Sequence, residues 1–501
     1  MIQIWNKRRQ IILSVFFLIP AFVWGQKAPK ETSDSEIIID STNYELIIPT
    51  FLGDQQRNYY GDVAPDTLEV IWKHYLGKGK TVISRKLGER EWAGAGWTGQ
   101  PLLVEENGHP YIIQGAYDHH LKKIDAISGE LVWQYKFDDV VKGTGTILIS
   151  KAENKQDRII ILQGSRLGIG NYLDTKHIPS YRAISYITGK ELWRMDQKWT
   201  HSYSRDVDGS AIVLNDTTYI GFENSLFTAM DASPQSASMR NGMLQPKVHL
   251  ERKLYTLEDV RKHKNNVVTE SSPSVIGRDI FIASGSGRVW AYNIDEKQLT
   301  WNFYVGSDID GSAVVTADSC LLISVEKQYI KGRGGIFKLN PSRDSGAAVE
   351  WYFPVKDKGY ASWEGGVIGS VAVNDRYIEK GDKKLAAFAA LDGNLYVVDH
   401  NQINEGRKVL GPDSVSVYSA PQKIFSYPVG ASISTPIFTK DKLVVAGYKG
   451  LYLFDYNVSG EFKLIKKFST TFEATPIVYK GKIFIASRDG NLYCLGRKGG
   501  S

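Results

Sequence analysis

SPSVIGRDIFIASGSGRVWAYNIDEKQLTW, residues Ser272 to Trp301, is the stretch that decides the fold. It opens on small residues, runs through an apolar strand, turns at Gly277, and continues into a second strand that ends in Ala283-Ser284. A glycine turn leads to a third strand, and a polar turn to a fourth that carries Trp301. Alternation within each run has period two, and Gly, Asp, Asn and Ser separate the runs, as hairpins require.

The same phrase recurs along the chain. Thr475 to Gly496 reads TPIVYKGKIFIASRDGNLYCLG, and Gly99 to Trp133 contains YIIQGAYDHHLKKIDAISGELVW. Copies anchored at the small residue that opens the first strand fall at Pro101, Thr146, Ser210, Pro273, Ser312, Ser370, Pro436 and Pro476, with gaps of 39 to 66 residues. A four-stranded unit repeated at about 40 residues or more is the signature of a propeller blade. A single such sheet has two exposed faces and is unstable alone, whereas a ring of them buries both. Length alone suggests about three domains, but repeat folds run long as single units. The expected fold is therefore all-β: one eight-bladed propeller of four-stranded antiparallel blades.

The last copy stops after its third strand. Leu68 to Gly77 (LEVIWKHYLG) resembles the fourth-strand phrase Glu130 to Phe137 (ELVWQYKF), and nothing before it supplies three further strands. It is expected to close blade eight and lock the ring. The resulting division is an export signal over 1–25, a polar lead-in over 26–50, the propeller over 51–496 and a tail over 497–501.

The signal assignment rests on a basic start (Lys7, Arg8, Arg9), an apolar run from Ile11 to Val23, and a small residue at Gly25. Cleavage is expected near Gly25, and the mature protein is expected in the periplasm or secreted. No Cys follows the apolar run, and no later segment has the length of a membrane span. Neither a lipid anchor nor a membrane helix is therefore expected. The 61 basic residues exceed the 55 acidic ones by a small, dispersed margin, which argues against a nucleic-acid partner. Cys320 and Cys494 both sit in apolar runs and read as buried thiols.

Gly129-Glu130-Leu131-Val132-Trp133, Gly189-Lys190-Glu191-Leu192-Trp193 and Asp392-Gly393-Asn394-Leu395-Tyr396-Val397-Val398-Asp399 carry a family resemblance. The phrase resembles the repeat of the pyrroloquinoline-quinone (PQQ) type, within the quinoprotein alcohol dehydrogenase-like superfamily. Phe51 to Asp54 and Arg57 to Gly61 also look like the segment that precedes the first blade in such proteins. The resemblance implies the fold over residues 51 to 496. It implies less about function, because the superfamily holds both quinone-dependent dehydrogenases and non-enzymatic assembly scaffolds. Family dehydrogenases stack PQQ between a Trp and a ring of two adjacent disulfide-bonded cysteines, beside Ca²⁺. This chain has no adjacent cysteine pair and no CxxCH. No catalytic residue is assigned, no metal ligand is assigned, and no cofactor is expected; PQQ with Ca²⁺ belongs to the alternative reading.

Two phrases, Asp206-Val207-Asp208-Gly209-Ser210 and Asp308-Ile309-Asp310-Gly311-Ser312, resemble the start of a calcium loop. The Glu expected at position 12 is Thr217 in the first and Ser319 in the second, so the EF-hand pattern fails. Two readings stay open: local turn chemistry, or a cation near the central channel.

Loops that enter the innermost strands gather on one face of a propeller. Those loops place Trp92, Trp97, Asp118, His119, Trp199, His201, Arg205, Asp208, Asp310, Trp363 and Glu364 around one mouth. Aromatics beside charged groups suit a polar ring such as a sugar. The competing reading packs these Trp residues between blades, as Trp133, Trp193, Trp301 and Trp351 are expected to pack. The sequence thus supports a periplasmic ligand-binding or scaffold propeller, linked to a small molecule, a glycan or protein partners of the cell envelope. The alternative is a quinoprotein that oxidises a sugar or alcohol at an atypical site. Two insertions add surface: Arg166 to Tyr181, and Pro234 to Thr269, where Thr256 is placed to open a short helix.

Overall fold

The computed structural model describes residues 43–499 apart from 85, 98, 170–175 and 458. The expected export signal, most of the lead-in and the last two residues lie outside these, as does part of the Arg166–Tyr181 insertion.

Eight antiparallel blades of four strands form the propeller, and the sheet of blade one carries a fifth strand. Blade four is the quoted stretch: Ser274–Ile276 innermost, then Asp279–Ser284, Arg288–Asn293 and Gln298–Tyr304. Blade eight is built from both ends of the chain. Glu69–Tyr75 pairs antiparallel with Asn491–Gly496, from Glu69 opposite Gly496 to Tyr75 opposite Asn491. The N-terminal strand therefore closes the ring.

The small residue that opens each repeat has a physical role. Around the channel, the backbone N–H of one blade donates to the hydroxyl that opens the next. Ser210 N donates to Ser272 Oγ at 2.9 Å, Ser272 N to Ser312 Oγ at 2.8 Å, and Ser312 N to Ser370 Oγ at 2.9 Å. Ser370 N then donates to Thr435 Oγ1 at 2.9 Å, and Thr435 N to Thr475 Oγ1 at 3.2 Å. A buried N–H without a partner is costly, so this belt ties blade to blade where no ladder can.

The repeat Trp does the same at the rim. Trp72 donates Nε1–H to Ala126 O (3.2 Å), Trp133 to Tyr186 O (3.0 Å), Trp193 to Ala232 O (2.9 Å), Trp301 to Arg343 O (3.0 Å) and Trp351 to His400 O (3.0 Å). Each bond runs from a fourth strand to the next blade. The glycine of the GxxxW phrase lets the ring approach. Gly189 has φ +67°, and a Cβ there would lie 2.9 Å from the Trp133 ring.

The lead-in contributes a strand that its composition does not announce. Tyr44–Ile48 pairs with Leu102–Glu106, the innermost strand of blade one. The chain then crosses the channel as a plug. Pro49, Gln55, Gln56 and Tyr60 carbonyls accept from Ile147, Val275, Val315 and Val478 N–H groups, at 2.7 to 3.1 Å. Arg57 is fully buried and donates to Pro273 O, Thr50 Oγ1 and Phe51 O at 2.7 to 2.8 Å. Burial pulls its guanidinium down to about 9.

After closing blade eight, the chain forms a hairpin, Lys78–Ser84 with Gly88–Ala93, before entering blade one. Within the second insertion, Lys247–Lys253 is the outer strand of blade three, and Leu257–Lys262 is a helix. Thr256 caps that helix, accepting from Asp259 N at 3.2 Å while Asp259 reaches back to Thr256 N at 2.8 Å. Cys320 and Cys494 are buried free thiols.

Candidate functional site

Two kinds of loop deliver carboxyl groups to the channel at the mouth. Asp206, Asp208, Glu270, Asp308 and Asp310 stand just ahead of the innermost strands of blades three, four and five. Glu223 and Glu326 follow the second strands of blades three and five, Thr217–Gly221 and Leu321–Val325. One oxygen from each of Asp208, Glu223 and Glu270 lies within 4.8 Å of the others, and the same holds for Asp308, Asp310 and Glu326. A cavity of about 20 Å³ joins the two groups, lined by Asp208, Glu270 and Asp310 and by Phe51 of the plug. That is the size of one water or one small cation.

Lys142 and Arg166 are the cations among them. Lys142 Nζ lies 2.6 Å from Asp208 and 3.5 Å from Asp206, and Arg166 Nε donates to Asp206 at 2.8 Å. Arg166 also holds the hairpin over the mouth, donating to Thr81 Oγ1 and Val82 O at 3.0 Å. The carboxyls outnumber these cations, and ionisation shows it. Asp206, beside Arg166, is held below the ordinary range even against burial. Burial and mutual repulsion push Glu223, Glu270 and Asp310 well above it. Burial raises Asp308 to about 6, and burial with the Asp308 and Glu270 charges raises Glu326 to about 8. Protonated Asp310 donates to Glu326. At neutral pH this chamber stores protons for want of positive charge.

Aromatics border it. Trp97 donates Nε1–H to Glu270 at 3.1 Å, and Lys142 lies over its ring at 5.1 Å. Trp363 packs on Trp97 with centroids 5.9 Å apart and planes tilted by 31°.

The family model described as outer membrane protein assembly factor BamB matches residues 61–330. The chain belongs to this family of PQQ-type repeat propellers. No protein of curated function matches it in sequence. Among solved structures it is similar to BamB from Moraxella catarrhalis, at 12% identity and a TM-score of 0.52, over 86% of this chain and 100% of that one. It is also similar to quinohemoprotein alcohol dehydrogenase from Comamonas testosteroni, at 12% identity and a TM-score of 0.56, over 91% of this chain and 82% of that one. At these identities the likeness is one of fold.

The residues of this BamB-family propeller do not fit the quinone of the second relative. PQQ is a flat tricarboxylate. The space between the channel carboxyls is about 20 Å³, its walls are acidic, and the two nearest indoles lie against each other. Both size and charge oppose it. The oxygen-rich groups are donors of the kind a hard cation takes.

Of the residues placed at the mouth from sequence, the structure brings Trp97, Trp363, Asp208 and Asp310 together. Trp92 stands close by, against Tyr117 at 5.1 Å and between Arg166 and Arg488, each 5.8 Å from its ring. Asp118 and His119 are engaged by neighbouring groups. Asp118 binds Lys122 Nζ at 2.6 Å, and His119 Nε2 meets Lys80 O of the hairpin at 2.8 Å. His201 pairs with Tyr255, and Arg205 donates to Ser202 O and Ser204 O while its guanidinium covers the exposed face of Trp199 at 3.7 Å. Glu364 is exposed at the rim. The Asp-x-Asp-Gly phrases divide their work. Asp308 accepts from Ile309 N, as a turn residue does, while Asp208 and Asp310 line the channel cavity.

Sequence reading passed over Lys142, Arg166, Glu223, Glu270 and Glu326. The signal for one of them was present. Glu326 directly follows a second strand, where other copies carry small residues such as Ala116, Ser165 and Ala390.

Proposed function

We propose that this protein is a non-catalytic binding propeller of the cell envelope, and that its mouth receives a cationic group from a protein partner. The observation that carries the reading is the excess of channel carboxyls over Lys142 and Arg166. A lysine or arginine side chain entering beside Glu270 and Asp310 would supply the missing charge. Lys142 shows how an ammonium is held there, between the Trp97 face and Asp208. The aromatic faces at the mouth already carry Trp363, Lys142, Arg166, Arg488 or Arg205, which supports a cation over a sugar. The envelope location rests on the export signal read from residues 1–25 and on the family. Among the described residues, no helix is long and apolar enough to cross a membrane.

Calorimetric titration with an oligolysine peptide tests the proposal. Binding is expected to release protons and to strengthen between pH 6 and pH 8.5, as Asp308 and Glu326 give up theirs. Absence of binding, or binding without proton release, would remove the mouth from the function. Mixing with PQQ and Ca²⁺ and assaying alcohols and aldoses with an artificial electron acceptor tests the alternative. Turnover above background would replace this reading with the quinoprotein one.

A further inference from the structure

Blade six ends in an arm. Its third and fourth strands, Asn394–Leu410 and Val417–Pro428, run to 17 and 12 residues. Alternation sorts the end of the arm into two faces. Val409 and Tyr418 turn inward onto blade five, where Tyr418 meets Phe337 edge-on at 5.5 Å. Gly332 N donates to Pro412 O at 2.8 Å and fixes the turn to the same blade. The arm is therefore anchored. Its outward face is nevertheless apolar: Leu410 and Val417 stand opposite each other at 57% and 60% exposure, and Val415 at the turn is 78% exposed.

Behind this tip lies a notch of about 420 Å³, lined by Lys331, Arg333, Arg407, Leu410 and Asp357. Asp357 is committed to Lys327, at 2.5 and 2.6 Å. Among the described residues, Lys331, Arg333 and Arg407 have no carboxylate partner. Asp413, the acid of the turn, is folded back, accepting from Val415 N, Ser416 N and Ser416 Oγ. Three unpaired cations thus share one notch, with aliphatic side chains projecting beyond them.

We propose that the blade-six arm docks on an anionic phospholipid surface: Lys331, Arg333 and Arg407 take headgroup phosphates, and Leu410, Val415 and Val417 enter the apolar layer. Two guanidinium forks and an ammonium match phosphate oxygens in charge and geometry. The depth order, aliphatic outermost and cationic behind, matches the profile of a bilayer interface. A protein partner would be anchored by aromatic side chains, and the tip presents none.

The experiment is sedimentation of the full protein with vesicles of phosphatidylglycerol in phosphatidylcholine, and with phosphatidylcholine alone. Binding is expected only to the anionic vesicles and is expected to fall at 0.5 M salt. Each basic residue near such a surface is worth about fivefold in affinity, so Lys331→Gln/Arg333→Gln/Arg407→Gln should weaken binding on the order of a hundredfold. Leu410→Ser/Val417→Ser should weaken it about tenfold. Neither variant should shift the melting temperature. No binding to anionic vesicles, or binding indifferent to the triple substitution, would overturn the proposal. So would competition by millimolar inorganic phosphate at fixed ionic strength with the serine variant unaffected, which would make the notch a site for soluble phosphate. Binding of polyglutamate in place of vesicles, abolished by the triple substitution, would assign the arm to an acidic protein segment.

Discussion

Replacing Glu326 by Gln should stabilise the protein, increasingly as the pH rises above about 4.5. In the folded state Glu326 holds its proton to about pH 8, because burial and the Asp308 and Glu270 charges oppose ionisation. In the unfolded chain the same carboxyl ionises near its ordinary 4.5. The folded state therefore binds more protons between these values, and stability falls as pH rises from about 4.5 to 8. Below 4.5 both states are protonated and the effect vanishes. Above 8 it is complete, on the order of 5 kcal/mol for Glu326 taken alone. Asp308, Asp310 and Glu270 repel as one set with it, so removing one charge relieves the others and a single substitution recovers less, about 2 kcal/mol. The amide retains an oxygen to accept from Asp310. Urea unfolding at pH 5 and pH 8.5 measures this. The wild type should lose stability between the two, whereas Glu326→Gln should exceed it slightly at pH 5 and much more at pH 8.5. Oligolysine should stabilise the wild type at pH 8.5 more than the variant. A variant less stable at both pH values would refute the reasoning, because Glu326 would then be a paired, stabilising charge.

Trp193→Phe should cost about 2–3 kcal/mol in urea unfolding, since Ala232 O loses its donor between blades two and three and the smaller ring leaves a void. Gly189→Ala, at φ +67° and against Trp133, should cost on the order of 1–2 kcal/mol; a neutral result would remove the close approach as the reason for that glycine. Arg57→Met should cost about 3 kcal/mol by leaving the carbonyls it binds in the plug without a donor. Trp363→Ala should lower the melting temperature by several degrees, because Trp363 packs on Trp97 and on the Ile368, Leu391 and Ile433 cluster; an unchanged melting temperature would return it to the role of a free ligand platform.

Each expected blade strand was legible because its cause is local. The short apolar run from Asp279 to Ser284, bounded by turns and buried along its length, makes a blade strand, and the Gly-Asp-Asn turns make hairpins. Ring closure was legible for the same reason: Thr475–Gly496 lacks a fourth strand, and Leu68–Gly77 is a fourth strand without a sheet. The phrase GxxxW also marked its own role, because a Trp recurring at one position of a repeat must meet one recurring environment.

The mouth obeyed different rules. Trp92, His119, His201 and Arg205 fall in the loops that form it, but loop membership does not fix where a side chain points. Arg205 is turned onto backbone carbonyls, and His119 onto the Lys78–Ala93 hairpin. Tyr44–Ile48 was hidden because a strand of polar and apolar residues beside an inner strand needs only an unpaired edge, and that edge belongs to blade one. The acid chamber was hidden most deeply. Glu223, Glu270 and Glu326 are each ordinary near a turn, and their raised pKa values exist only because the ring brings them together out of water. The sequence by itself determined the blades, their number and their closure, since those follow from hydrophobic period and hydrogen-bond satisfaction along the chain. Only the tertiary structure decided the channel's charge, since Coulomb repulsion depends on distances between residues that lie tens of positions apart on separate loops.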